Sequence, residues 1–188
     1  LTRRSRPLCY GRSMNSTRRA FLGQAGLGGF AIVSGAAGSA WAQSGVDFPF
    51  PGGNGKREIT TALVYNPITD ESFWAEKGRG AWVQSERLRV SGRRDLTDAL
   101  VATGIPFAGH GNIAQWSRIF GAIAPEVAGI RRFGSAALDL AWVAAGRFDA
   151  YWEADLNIWD VAAGLLLVKE AGGFVTDFRG GDRPIERN

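Results

Sequence analysis

Cysteine and histidine occur once each in the 188 residues, as Cys9 and His110. A lone cysteine cannot form an intramolecular disulfide, and without a Cys/His cluster there is no structural zinc site to expect. The body of the chain contains no G-x-S-x-G elbow, and a serine hydrolase would also need a partnered histidine. His110 lies among glycines and reads as a surface residue. Acidic residues are missing altogether from positions 1 to 42, where Arg3, Arg4, Arg6, Arg12, Arg18 and Arg19 are found. The apolar stretch in that segment is interrupted by glycines and is marginal against the roughly 20 residues of a membrane span. No internal repeat is present.

The distribution of charge decides what the total means. The formal charge is +4, but six arginines without a counterion in the first 42 residues leave the remainder at −2. A mildly acidic body lacks the clustered Lys and Arg that give affinity for a phosphate backbone through counterion release, so no nucleic-acid partner is expected. A hydrophobic content of 45% is enough for one packed domain with its own core.

Thr17-Arg18-Arg19-Ala20-Phe21-Leu22 pairs two arginines with a small and apolar stretch that ends at Ala40-Trp41-Ala42. This is the pattern of a twin-arginine export signal with an A-x-A cleavage site. The expected organisation is a signal-like leader over residues 1–42 and a partial domain over 43–188. Periplasmic or exported localisation follows from that leader, with the cytoplasm as the alternative if the leader is a fused reading frame. Met14 is a candidate start. Two glycine patterns fail as nucleotide motifs. Gly26-Leu27-Gly28-Gly29-Phe30-Ala31 has no strand before it, and at Gly52 to Lys56 the required first glycine falls on Phe50 while Arg57 replaces Ser or Thr.

From Ile59 the pattern becomes one of short β segments. Strands are expected at Ile59 to Tyr65, Phe73 to Glu76, Ala81 to Val83 and Leu88 to Val90. Turns at Asn66-Pro67 and Gly78-Arg79-Gly80 make them an antiparallel meander. Beyond Asp98, strand and helix alternate. A strand at Ala99 to Thr103 leads to a helix capped by Asn112, with Ile113, Trp116, Ile119, Phe120 and Ile123 on one face. A strand at Ile130 to Phe133 precedes a helix from about Ala136 to Gly146. A strand at Phe148 to Trp152 precedes a helix from about Ile158 to Ala171, stopped by Gly172-Gly173. Phe174 to Asp177 is expected as a last strand. Strands first, then β/α alternation, indicate a layered α/β architecture.

Three places in this pattern suit chemistry. Gly134-Ser135-Ala136 lies where a strand meets a helix start, so its backbone N–H groups and the helix dipole can hold an anion such as phosphate. Small residues there also permit tight strand-to-helix packing. Glu153 ends a strand and Asp160 lies in the first turn of the following helix, so both carboxylates can reach a crevice at the carboxyl ends of the strands. Carboxylate oxygens there suit a hard cation such as Mg²⁺. A favourable carboxylate at a helix N-terminus and a solvated glutamate are the plainer readings.

Five segments in order resemble signatures of the inositol monophosphatase family. They are Leu63-Val64-Tyr65-Asn66-Pro67-Ile68-Thr69-Asp70-Glu71, Ala75-Glu76-Lys77-Gly78-Arg79-Gly80-Ala81, Arg132-Phe133-Gly134-Ser135-Ala136-Ala137, Trp159-Asp160-Val161-Ala162-Ala163-Gly164 and Glu170-Ala171-Gly172-Gly173. The resemblance spans Ile59 to Gly181. It implies an incomplete layered α/β sandwich of the inositol monophosphatase and fructose-bisphosphatase type. It also implies Mg²⁺-dependent hydrolysis of inositol monophosphate or a related small sugar or polyol phosphate, and allows a homodimer. By the resemblance, Asp160 is a metal ligand that also meets a substrate hydroxyl. Gly134, Ser135 and Ala136 form the substrate-contacting turn, and Glu153 accepts from sugar or inositol hydroxyls. The family's upstream Glu-Glu segment and Asp-Pro-x-Asp-Gly-Thr motif have no match here. The acids before Ile59 are Asp47 and Glu58, so weak or no phosphatase activity is expected of this chain alone. A non-catalytic remnant or interaction domain is the alternative.

Overall fold

The computed structural model describes residues 58–181, and residues 1–42, expected above as a leader, lie outside them. The chain starts with a four-stranded antiparallel sheet of β1 (Thr61–Asn66), β2 (Glu71–Glu76), β3 (Gly80–Val83) and β4 (Glu86–Arg87). Alternation along β1 is complete: Ala62, Val64 and Asn66 point inward, and Thr61, Leu63 and Tyr65 outward. Register carries this across the sheet. Val64 pairs with Phe73 and Phe73 with Val83 on the inner face, while Leu63 pairs with Trp74 and Trp74 with Trp82 on the outer. The fourth strand is Glu86–Arg87 instead of Leu88 to Val90. Leu88 still donates its N–H to Ala81 (2.8 Å), but the backbone then leaves the ladder, and Val90 donates to Ala171 (3.2 Å).

After a short 3₁₀ turn at Leu96–Asp98, a second sheet forms from β5 (Leu100–Thr103), β6 (Gly129–Arg131) and β7 (Ala150–Trp152). Its order is β6-β5-β7, and both pairings are parallel. Parallel neighbours require crossovers, here made by α1 (Ile113–Ile123) and α2 (Ala136–Ala144). The last helix, α3 (Ile158–Glu170), follows β7. The Asn112 side chain accepts from Gln115 N (3.0 Å) and starts α1. Trp116, Ile119, Phe120 and Ile123 pack inward as their spacing requires, but Ile113, in the first turn, is left exposed. Phe174 to Asp177 forms no strand. The segment closes in a turn in which Asp177 Oδ1 accepts from Arg179 N (2.8 Å) and Gly181 N (2.7 Å).

Two hydrophobic clusters define the layers. In the larger, the inner face of the first sheet (Val64, Phe73, Ala75) meets α2 and α3 (Leu140, Val161, Leu165, Val168), which also cover Ala102 and Tyr151 of the second sheet. In the smaller, Val101 and Trp152 from the opposite face of the second sheet meet Ile119 and Ile123 of α1. The stacking is sheet, helix pair, sheet, helix. Burying a side chain such as Phe73 or Leu167 stabilises by about 1.5–3 kcal/mol, and both are 0% exposed. Glu170, at the end of α3, ties the layers at one edge by accepting from Gly78 N (2.8 Å) and Gly80 N (2.9 Å) in the β2–β3 turn. Arg147 does so elsewhere, pairing with Glu71 and lying over the Phe73 ring at 5.4 Å. No helix among the described residues is long and apolar enough to cross a membrane.

Candidate functional site

The three parallel strands end on the same side of their sheet, so the loops after Thr103, Arg131 and Trp152 converge. They enclose a cleft of about 470 Å³. Ligands of open parallel sheets bind at this edge because strand ends expose backbone groups there and the following helices point their N-termini at it. Gly134, Ser135, Ala136, Glu153 and Asp160 all line the cleft. The sequence places these residues 26 positions apart at most; the parallel pairing brings them together.

Each is held by local chemistry. Gly134 adopts φ +85°, a left-handed conformation that a side chain disfavours, and this turns β6 into α2. Ser135 is the N-cap of α2, its hydroxyl oxygen accepting from Leu138 N at 3.5 Å. The cap takes up Leu138 N, and the N–H groups of Ala136 and Ala137, residues that line the cleft, have no intrahelical acceptor. Asp160 is the third residue of α3, and its Oδ2 accepts from Asn157 N at 3.1 Å. Glu153 directly follows β7, and its Oε2 accepts from the Tyr151 hydroxyl.

The electrostatics are those of carboxylates gathered under partial cover. Burial raises the Glu153 carboxyl above its ordinary range; the Tyr151 hydrogen bond and Arg132 oppose this, and Asp160 adds to it. Tyr151, 0% exposed, is pushed well above the usual phenol range by burial, then by Glu153, Asp139 and Asp160. It stays a donor. Asp139, in the first turn of α2, is buried, and neither carboxylate oxygen has a hydrogen-bond partner among the described residues. Burial and then the Glu153 charge push it up to about 7, with Arg132 opposing.

Sequence reasoning missed several of these residues. Asp139 and Tyr151 read as ordinary positions of a helix and a strand. Gly104, Arg132 and His110 line the cleft, and His110 is exposed, as its glycine-rich loop suggests. The usable signal was position, since Gly104 and Arg132 each directly follow a parallel strand. Trp152 is core, 2% exposed. Trp74 and Trp82 stack on the outer sheet face with ring centres 5.8 Å apart.

The fit to a divalent cation can be tested on the donors. Mg²⁺ takes about six oxygen ligands in octahedral geometry, typically one or two carboxylates with waters and substrate phosphate. Asp160 has one oxygen engaged by Asn157, and Glu153 has one engaged by Tyr151. No group of three or more His, Cys, Asp or Glu side chains able to hold a metal ion gathers among the described residues. These residues do not by themselves compose a Mg²⁺ cluster.

Comparison with known proteins agrees with the geometry. The family model described as "Inositol monophosphatase family" matches residues 55–188. An "Inositol-1-monophosphatase" of Rhizobium meliloti is 55% identical over 129 residues, covering 69% of this chain and 48% of that protein. A protein of Pseudomonas aeruginosa named "Nus factor SuhB" is 48% identical over 134 residues, covering 70% of this chain and 49% of its own length. The crystal structure of extragenic suppressor protein suhB from Bartonella henselae superposes with a TM-score of 0.64 at 53% identity, over 65% of this chain and 48% of that one. The chain thus spans about half the length of the curated relatives it matches. Its layered α/β fold and the extent of these matches lead to one conclusion: the chain belongs to the inositol monophosphatase family.

Proposed function

We propose that the cleft binds a small phosphate ester of a polyol or sugar, inositol monophosphate or a close analogue, as part of a Mg²⁺-dependent phosphate monoester hydrolase. The phosphate would lie on the N–H groups of Gly134, Ser135 and Ala136, and the polyol hydroxyls on Glu153. Asp160 would contribute one carboxylate to a cation that polarises the phosphate when bound. The observation that carries this reading is the convergence, in one cleft of about 470 Å³, of a helix N-terminus suited to an anion and a carboxylate suited to hydroxyls. A fully acidic cleft would repel a phosphate ester, and an apolar one would not orient a polyol.

Because the described donors do not complete a cation site, binding is expected of this chain with weak or no turnover. Titration calorimetry of the full chain with myo-inositol 1-phosphate, with and without Mg²⁺, tests this beside phosphate release. Supporting outcomes are ester binding that weakens in Glu153→Gln and any Mg²⁺ enhancement that disappears in Asp160→Asn. Equal affinity in wild type and Glu153→Gln would remove the proposed hydroxyl site. The partner we propose is a small phosphate ester and not a nucleic acid. Export behind the twin-arginine pair is proposed separately. Fusing residues 14–42 to a folded reporter tests it, and a reporter confined to the cytoplasm refutes it.

A further inference from the structure

We propose that Tyr151 and Gly104 are positioning residues that fix the Glu153 carboxylate, the phenol by holding Oε2 and the glycine by admitting the carboxylate against its backbone, so that it meets a ligand hydroxyl in one orientation. The inference rests on the reading of Glu153 as hydroxyl acceptor and adds how that acceptor is aimed. Tyr151 and Glu153 are two residues apart along extended backbone, so their side chains leave the same face. The Tyr151 ring is wholly buried in the larger core, and its hydroxyl donates to Glu153 Oε2. A phenol raised well above its ordinary range by burial first and the surrounding acids second stays protonated, so it can only hold Oε2 as a donor.

The opposite wall is backbone. Thr103 of β5 pairs with Trp152 of β7, so one step beyond the sheet Gly104 comes to lie beside Glu153. A Cβ on Gly104 would sit 1.8 Å from Glu153 Cδ and Oε1 and 2.2 Å from Oε2. No side chain can be inserted there unless the carboxylate moves. That wall is anchored in turn, since the Gly104 carbonyl accepts from Trp116 Nε1 at 2.6 Å and from Thr103 Oγ1 at 2.9 Å. The carboxylate is bracketed between a buried phenol and a tethered peptide, and a hydroxyl acceptor aimed this way loses little freedom when a ligand arrives.

The test uses the full chain with Tyr151→Phe, which keeps the buried ring and deletes only the hydroxyl, and Gly104→Ala, which fills the space against the carboxylate. Two probes are titrated by calorimetry: myo-inositol 1-phosphate and inorganic phosphate. Each variant should weaken the ester about ten-fold, the scale of one charge-assisted hydrogen bond, and leave inorganic phosphate within about two-fold, because phosphate is held by the α2 turn. If both probes weaken alike, the substitutions act on the whole cleft, and the proposal fails. It fails equally if Glu153→Gln weakens the ester while Tyr151→Phe and Gly104→Ala do not. If Glu153→Gln itself leaves the ester unchanged, or wild type binds neither probe, the underlying reading of Glu153 fails instead. Crystal structures of wild type and Tyr151→Phe then decide the positioning independently. A rotated Glu153 carboxylate in the variant supports it, and an unmoved one overturns it.

Discussion

Asp139→Asn should make the chain's stability less dependent on pH. Asp139 is 1% exposed with both oxygens unpartnered among the described residues, and its carboxyl is pushed up to about 7 from an unfolded value near 3.9. The folded state therefore holds a proton that the unfolded chain has already released. Stability from this group is complete below about pH 4, falls as the pH rises towards 7, and is flat above that. From about pH 5 to about pH 7 the loss is at most about 2.7 kcal/mol, at roughly 1.36 kcal/mol per unit. An effective dielectric above that of a dry interior puts the expected loss at about 2 kcal/mol.

The asparagine amide carries a desolvation penalty of its own, which shifts the variant by a constant at every pH and leaves the slope untouched. Urea unfolding followed by tryptophan fluorescence, at about pH 5 and about pH 8, gives the comparison. Wild type should lose about 2 kcal/mol relative to the variant between the two conditions. Parallel pH profiles for the two proteins would mean that Asp139 ionises at an ordinary carboxylate pKa. The account of a proton held beneath the cleft would then be wrong.

Other consequences are simpler to test. Gly164→Ala would place a Cβ 2.5 Å from Leu140 Cβ at the α2–α3 contact and should destabilise by about 1–3 kcal/mol in urea, through overpacking. Glu170→Ala removes the acceptor shared by Gly78 N and Gly80 N; a loss of about 1–2 kcal/mol is expected, with faster amide exchange confined to the β2–β3 turn. Asn112→Ala deletes the cap of α1 and should cost about 1 kcal/mol in thermal unfolding. An unchanged transition temperature in Asn112→Ala would show that the packing of Ile119 and Ile123 alone sets that helix start.

The sequence by itself determined the elements and much of their chemistry. Alternation in Thr61 to Tyr65 settles which side chains face the core, because a strand has a period of two, whereas Asn66 reads as a turn residue and closes the strand. Asn112 and Ser135 mark helix starts, because their side chains accept from N–H groups that the first turn leaves over. Gly134, Glu153 and Asp160 stood out because each lies at a strand end or a helix start. Where the pattern misled, the cause was tertiary: Leu88 to Val90 reads as a strand, but its backbone turns to meet Ala171. Phe174 to Asp177 reads as another and ends in an aspartate-centred turn.

Only the tertiary structure decided the surroundings of the cleft residues. Nothing in the spacing of Gly104 and Glu153 shows that they touch, since the contact exists only through the parallel pairing of β5 and β7. Asp139 is a polar position on an apolar helix until packing buries it and leaves it without a partner. Side-chain type and local backbone preference are written residue by residue. Desolvation and contact between distant residues arise only when the layers close, and these set where the proton lies and how the Glu153 carboxylate is held.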